Sequence, residues 1–418
     1  MHEFKYRHNA LYCEHVKVSD VAAVVGTPFY LYSYQTIVDH YQKINKAFTG
    51  VDHLICFSMK SNSNLAICRI LIKEGSGLDI VSGGELFKAL KIGIDPKRIV
   101  FAGVGKSRKE IEEAIRADIL FFNVESLPEI DLIDSVAKGL NVKADVCLRL
   151  NPDVAVKTHR YIVTGMSESK FGMSFDVARR ILERADAFTN IRIRGLHVHI
   201  GSQITRSRPY VRALKRVYAF VRNSPIELEY LNIGGGLGVI YNKEQPQTAH
   251  RFARAILPFV KKIGLKLILE PGRFIVGNSG ILVTRVAYLK ESFHKKFVIV
   301  DAGMNDLVRP SYYNAYHSVV PVERNAQRNA PSVIADVVGP ICESGDFLAK
   351  SRHLPILGDG DLLAVMGAGA YGYTMSSNYN SRPRVPEVLV MKDKFYVVRE
   401  RETYKDLIKG EIIPEGIL

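Results

Sequence analysis

Between residues 54 and 269, short apolar runs alternate without interruption with segments of helical period, and no other feature restricts the fold as tightly. The runs at 54–59, 78–81, 98–102, 120–124, 146–150, 195–200, 230–233 and 266–269 read as strands. Segments such as 64–73 and 108–117 between them carry apolar residues at helical spacing. The strands are continuously apolar rather than alternating, which requires burial on both faces and therefore a parallel sheet. Eight such units in roughly 230 residues match the length of a (β/α)8 barrel. A doubly wound sheet is the rival arrangement, but one unbroken series favours closure.

The pattern changes after about residue 280. Apolar runs at 281–289, 297–300, 332–338, 362–366 and 388–398 follow one another with few helix signals, and the last reads as a hairpin around Lys392-Asp393-Lys394. This predicts a mainly antiparallel β-domain, joined by the strand-like stretch at 29–32 near the N-terminus. The expected organisation is an α/β barrel over 33–283 and a β-domain built from 1–32 and 284–418.

Composition narrows the function classes. A chain of 418 residues with 47% hydrophobic residues is long enough for two domains with sizeable cores. It has no apolar run of membrane-spanning length, and residues 1–10 are polar, unlike a signal peptide. A cytoplasmic enzyme that engages no membrane is expected. The five cysteines, Cys13, Cys56, Cys68, Cys147 and Cys342, are odd in number and form no CxxC pair, so reduced thiols are expected. Four lie in apolar stretches, while Cys342 lies among polar residues. The net charge is +14, but Lys and Arg are scattered and no nucleic-acid motif accompanies them. The positive field suits a small anionic ligand, and nucleic acid is not an expected partner.

A barrel carries its site at the C-terminal ends of its strands. In this sequence the first strand ends in Lys60, and the second runs through Asp79. The sixth ends in His197-Val198-His199-Ile200-Gly201-Ser202, the seventh in Gly234-Gly235-Gly236 and the eighth in Glu270-Pro271-Gly272-Arg273. A lysine at the end of a buried strand is a desolvated, aldehyde-reactive amine. Three glycines let backbone N–H groups approach a phosphate. A carboxylate holds a heterocyclic nitrogen protonated, and a histidine stacks on an aromatic ring. Each feature has a plainer reading alone: a surface lysine, a tight turn, a structural ion pair. Together they describe a pyridoxal-phosphate site. His197 and His199 would suit a metal pair, but the further His and Asp ligands at other strand ends are lacking, so no metal is expected.

These motifs resemble the fold-type III, alanine-racemase-fold pyridoxal-phosphate decarboxylases over about residues 25 to 400. The signposts are Phe57-Ser58-Met59-Lys60-Ser61-Asn62, Ser169-Lys170-Phe171-Gly172, the His197–Gln203 stretch, Asn232-Ile233-Gly234-Gly235-Gly236-Leu237-Gly238, Glu270-Pro271-Gly272-Arg273, Cys342-Glu343-Ser344-Gly345-Asp346 and Gly369-Ala370-Tyr371. The resemblance implies pyridoxal 5'-phosphate as cofactor, with Lys60 as the Schiff-base lysine, His199 stacked on the ring and Glu270 beside the ring nitrogen. It implies that Ser202, Gly236, Gly272 and Arg273 handle the phosphate, that Gly234 and Gly235 also bind the cofactor, and that Asp79 and Arg149 support the site. Arg273, Arg309, Tyr313, Glu343 and Tyr371 match substrate contacts, and Tyr371 also a cofactor contact. Cys342 matches the proton donor. The family's head-to-tail homodimers share active sites, with Cys342 and Glu343 entering the partner's site. One departure is visible: the lysine motif usually reads Tyr-Ala-x-Lys-Ala-Asn, and here Phe57-Ser58 replaces Tyr-Ala.

The expected reaction is decarboxylation of meso-diaminopimelate to L-lysine. That small-molecule substrate carries a second amino-acid end, which Arg273, Arg309 and Glu343 suit by charge. An ornithine or arginine decarboxylase, which typically has Cys-Asp where this chain has Cys342-Glu343, is the alternative, followed by a carboxynorspermidine-type enzyme. A racemase needs a tyrosine base in the second domain. A non-catalytic binding homologue is opposed by the intact Lys60, Glu270 and Cys342.

Overall fold

All eight apolar runs of the first region form parallel strands, and the eighth closes on the first. A computed structural model describes residues 2–154, 169–324 and 332–417. It falls into two units, Ile37–Val276 and Met1–Thr36 with Gly277–Leu418. In the first unit the strands are β1 (His53–Ser58), β2 (Gly77–Ile80), β3 (Ile99–Phe101), β4 (Phe121–Val124), β5 (Ala144–Leu150), β6 (Ile191–Val198), β7 (Tyr230–Asn232) and β8 (Lys266–Leu269). Each pairs in parallel with the next, and β8 pairs with β1 through Leu267–His53, Ile268–Leu54 and Leu269–Ile55. Cys56, Val100, Phe121, Cys147 and Ile268 pack together as one buried cluster. Most helices between the strands start at side-chain caps, Arg208–Val221 being an exception. Asn64 Oδ1 accepts from the Ala66 N–H before Leu65–Lys73. Ser107 and Glu110 form a reciprocal capping box at the start of Arg108–Arg116.

A buried ion pair braces the loops after β3 and β4. Lys106 Nζ donates to Glu129 Oε1 at 2.5 Å, the Asn123 carbonyl at 2.9 Å and the Gly103 carbonyl at 2.8 Å. The other Glu129 oxygen accepts from the Glu125 N–H at 2.8 Å. An ammonium is tolerated inside a protein when its donors are all met, and three acceptors surround this one.

The second unit is built on the long strand Gly280–Ser292. Its first half pairs antiparallel with Phe29–Ser33 on one side and Leu362–Val365 on the other. Its second half pairs with Lys295–Val300. Glu387–Met391 and Lys394–Arg399 form the anticipated hairpin, turning at Lys392 and Asp393. The sheet is mixed rather than wholly antiparallel: Phe29–Ser33 pairs in parallel with Glu387–Met391, and Lys295–Val300 with Val333–Val338. Three parts escape the sequence reading, one of them the short strand Val319–Pro321, which pairs with Leu362–Val365. Phe347–Leu354 lacks strict alternation, because Ala349–Lys350 meets a register shift opposite Val337. Phe4–Arg7, Ala10–Cys13 and Val16–Lys17 form a small three-stranded sheet in what reads as a polar N-terminus. The left-handed pair His8-Asn9 turns its first hairpin, and Phe4, Leu11, Cys13 and Val16 face a core shared with Leu31, Val283 and Val388.

Asp306 lies buried in this unit, accepting from the Gly303 N–H at 2.9 Å and from Asn305 Nδ2 at 3.1 Å. Burial pushes its pKa up to about 7, with Asp301 and Asp346 adding to the rise. The folded value lies above the ordinary carboxyl value. The protonated form therefore stabilises the fold fully at low pH, and that contribution is lost as pH rises through 7. Asp306→Asn removes the ionisation. The melting temperature of this variant should rise relative to wild type between about pH 4 and pH 8 in a pH series of thermal scans, and a constant difference would refute the assignment.

Candidate active site

Closure of β8 on β1 brings the two ends of the barrel sequence together. The Ser58 N–H donates to the Pro271 carbonyl at 3.2 Å. A Cβ on Gly272 would lie 2.8 Å from Ser61 Oγ, so glycine is what lets the loop after β8 reach the turn Met59–Ser61 that carries Lys60. Lys60 Nζ donates to Asp79 Oδ2 at 3.1 Å, and Ser58 Oγ donates to the same oxygen at 2.6 Å. Asp79 is fully buried. Burial and nearby Glu270 raise its pKa, against the opposing effect of Lys60 and Ser58.

Glu270 forms the floor. Its Oε1 accepts from Asn232 Nδ2 at 2.6 Å and Asn123 Nδ2 at 3.1 Å, while His197 Nε2 stands 3.4 Å from Oε2. Burial opposes its ionisation, but His197, Lys60 and the Asn232 bond outweigh burial and hold the pKa below the ordinary value. Glu270 is thus an anion, which suits it to face a protonated heterocyclic nitrogen.

His199 follows β6. Its Nδ1 accepts from the Gly235 N–H at 3.2 Å. Burial, then Lys60 and Arg149, push its pKa well below the usual histidine value, so the ring is a neutral imidazole. The glycine run fits closely around it. A Cβ on Gly234 would meet His199 Nδ1 at 2.5 Å, and one on Gly235 the Glu270 carbonyl at 2.1 Å. On Gly236, at φ +100°, it would meet the Gly201 carbonyl at 2.3 Å. The Gly234 N–H donates to Asn232 Oδ1 at 2.9 Å, and that of Gly235 to His199. Of the three glycine amides, that of Gly236 has no such bond to a described residue. Beside it, Arg273 reaches Ser202 Oγ at 3.2 Å and the Tyr241 hydroxyl at 2.8 Å.

The motif Ser169-Lys170-Phe171-Gly172 has a supporting place. Arg149 lies 4.7 Å from the Phe171 ring centroid and donates to Glu125 at 2.6 Å, and Glu125 also accepts from the Gly172 N–H. Asn123, Asn232, Ser58, Glu125 and Tyr241 were not among the anticipated site residues. Asn123 and Asn232 carried a signal, as polar residues at the C-terminal ends of apolar strands. Tyr241 carried none.

In the second unit, Arg309 and Tyr313 lie one turn apart on the short helix Arg309–Tyr313 and so share a face. Ser311 Oγ of that helix donates to the Gly345 carbonyl at 2.6 Å, tying it to the segment bearing Cys342 and Glu343. Asp346 clamps the same segment, accepting from the Ile341 N–H at 2.7 Å and the Met304 N–H at 2.6 Å. Cys342 is exposed, unlike the four buried cysteines. Tyr371 adopts φ +56°, a strained conformation for an aromatic residue.

The residues fit pyridoxal phosphate. A lysine, a neutral imidazole and an ionised carboxylate share one barrel mouth. The glycine cradle admits no Cβ, and Asp79 Oδ1 is a buried oxygen with no hydrogen-bond partner among the described residues. Among the same residues, no group of three or more His, Cys, Asp or Glu side chains is placed to hold a metal ion.

Comparison with known proteins gives the same chemistry. Residues 34–277 match the family described as pyridoxal-dependent decarboxylase, pyridoxal binding domain. The diaminopimelate decarboxylases of Aquifex aeolicus and Vibrio cholerae are 46% and 45% identical to the chain, covering 98% and 99% of it and 97% and 100% of their own length. The chain belongs to the diaminopimelate decarboxylase family. The crystal structure of diaminopimelate decarboxylase from M. jannaschii matches with a TM-score of 0.94 at 37% identity, covering 100% of this chain and 99% of its own. The Helicobacter pylori enzyme, solved with L-lysine, matches at 0.90 and 42%, covering 94% and 98%. The barrel with its mixed β-sheet unit is the alanine-racemase-like fold, and the cofactor of this pyridoxal-dependent decarboxylase is pyridoxal 5'-phosphate.

The glycine fit yields a prediction. Gly236→Ala places a methyl group against the Gly201 carbonyl and forces the cradle open. Loss of a charge-assisted backbone contact should weaken cofactor binding by roughly ten- to a hundredfold. Titration of the apoenzyme with pyridoxal phosphate, followed by absorbance, measures this, and unchanged affinity would remove Gly236 from the phosphate site.

Proposed function

We propose that this chain decarboxylates meso-diaminopimelate to L-lysine, the last step of lysine biosynthesis, in a cytoplasmic homodimer. The observation that carries the chemistry is Glu270, a buried carboxylate kept ionised at the barrel floor within electrostatic reach of Lys60. The substrate assignment is supported by the full-length relatives named for that reaction and by the Cys342-Glu343 pair.

Bound pyridoxal phosphate supplies the electron sink that lets the substrate's Cα–carboxylate bond break. Lys60 would carry the cofactor, and Asp79 orients the free amine through a 3.1 Å bond. Glu270 would pair with the ring nitrogen and hold its proton in place. His199, neutral and held by Gly235, would stack on the ring. Ser202, Gly236, Gly272 and Arg273 would hold the phosphate, with Gly234 and Gly235 allowing close packing around the cofactor. Arg273 also binds substrate. In the second unit Cys342 delivers the proton to carbon, while Arg309, Tyr313 and Glu343 read the distal amino-acid end and Tyr371 contacts both cofactor and substrate. The guanidinium fork of Arg309 suits a carboxylate, and Glu343 suits an ammonium.

An unpaired distal charge costs on the order of 2–4 kcal/mol, so Arg309→Ala should lower kcat/KM for diaminopimelate by roughly 30- to 1000-fold. Ornithine, which lacks the distal carboxylate, should suffer far less. Release of CO2 from diaminopimelate, lysine, ornithine and arginine is measured for wild type and variant. A wild-type preference for ornithine or arginine, or an equal loss on every substrate, would reject the assignment.

The proposed dimer shares its sites, with Cys342 and Glu343 entering the partner's barrel. Inactive Lys60→Ala and Cys342→Ala subunits, once exchanged, should then recover partial activity, because one site of each mixed dimer holds both intact residues. Absence of recovery after demonstrated exchange counts against shared sites.

A further inference from the structure

Arg309 is buried, and one of its terminal nitrogens is held by a histidine. Arg309 Nη1 lies 2.8 Å from His317 Nε2, and His317 Nδ1 lies 2.9 Å from the Met366 carbonyl oxygen. His317 is fully buried and Arg309 nearly so. The two distances fix the state of the ring. A carbonyl only accepts, so Nδ1 carries a proton and donates to Met366. A guanidinium only donates, so Nε2 is unprotonated and accepts from Arg309. The imidazole is therefore neutral, in a single tautomer, and bridges a backbone anchor to the guanidinium.

This geometry has a consequence for binding. Arginine has a long side chain with much rotamer freedom, and its planar fork recognises a carboxylate only in one orientation. A bond to one terminal nitrogen, backed by a rigid ring tethered to the Leu362–Val365 strand end, fixes the plane of the fork. We propose that His317 is a positioning residue that sets substrate selectivity, orienting Arg309 for the distal carboxylate through its unprotonated Nε2. This rests on the reading of Arg309 as the group that binds that carboxylate.

Two substitutions separate the two bonds of the ring. In His317→Asn the amide nitrogen sits near the place of Nδ1 and keeps the Met366 bond, but it is too short to reach Arg309. In His317→Gln the amide oxygen sits near the place of Nε2 and keeps the acceptor for Arg309, while the Met366 bond is lost. The probes are L-lysine and cadaverine, which differ by one carboxylate, and the measurement is the ratio of their dissociation constants on holoenzyme. The steady-state kinetics of diaminopimelate turnover accompany it.

The lysine-over-cadaverine preference should fall by roughly tenfold in His317→Asn and survive in His317→Gln. KM for diaminopimelate should rise more than kcat falls in the Asn variant. A purely structural role predicts the opposite order, with the Met366 bond decisive, and that result overturns the proposal. A preserved preference in folded His317→Asn overturns it too, as does a lost preference in folded His317→Gln. Arg309→Ala is the control. If it abolishes the preference while His317→Asn does not, only the role of His317 fails. If Arg309→Ala itself leaves the preference intact, the reading of Arg309 fails first.

Discussion

A single buried carboxylate governs the barrel unit. Glu270 stands at the floor of the strand ends, where ionisation is opposed by low polarisability and favoured only by what surrounds it. Two asparagine amides donate to one of its oxygens and His197 approaches the other. Those partners come from β4, β7 and β6, so the anion is stable only when the barrel is closed and in register. A slip of one residue in any of these strands would turn its polar side chain away from the floor. The charge and the closure are in that sense one constraint.

The surrounding loops serve the same end by close packing. The glycines at 234–236 and 272 are positions where backbone or ring atoms already occupy the place of a Cβ. Two of their amides are committed to Asn232 and His199, and the second bond locks the imidazole in orientation. Behind this layer, Lys106 and Glu129 hold the backbone of Asn123 and Glu125. The positions of Asn123 against Glu270, and of Arg149 against Glu125, depend on a buried ion pair that touches no reacting group. Breaking such a pair leaves an uncompensated charge, a cost of several kcal/mol.

Much of this was legible in the chain. The eight strands fall within a few residues of where continuous apolar runs place them, because burial on both faces leaves a strong local pattern. Lys60, His199, Ser202, Glu270 and Arg273 stand out because a polar residue ending an apolar strand must have a use. The N-terminal three-stranded sheet did not stand out, since its strands are two to four residues long and are stabilised by a core from elsewhere in the unit. His317 was passed over for a similar reason. A histidine in a loop gives no sign of its two partners, eight and 49 residues away.

The sequence by itself determined the barrel, the β-rich second region and the identities of the groups at the strand ends, because periodicity and strand termination are local properties of the chain. Only the tertiary structure decided the charge state of Glu270, the tautomers of His199 and His317, and which amides of the glycine run are bonded within the chain. These depend on donors and acceptors up to 147 residues away. Hydrogen-bond partnership and desolvation are set by distances in space, and no local pattern encodes them.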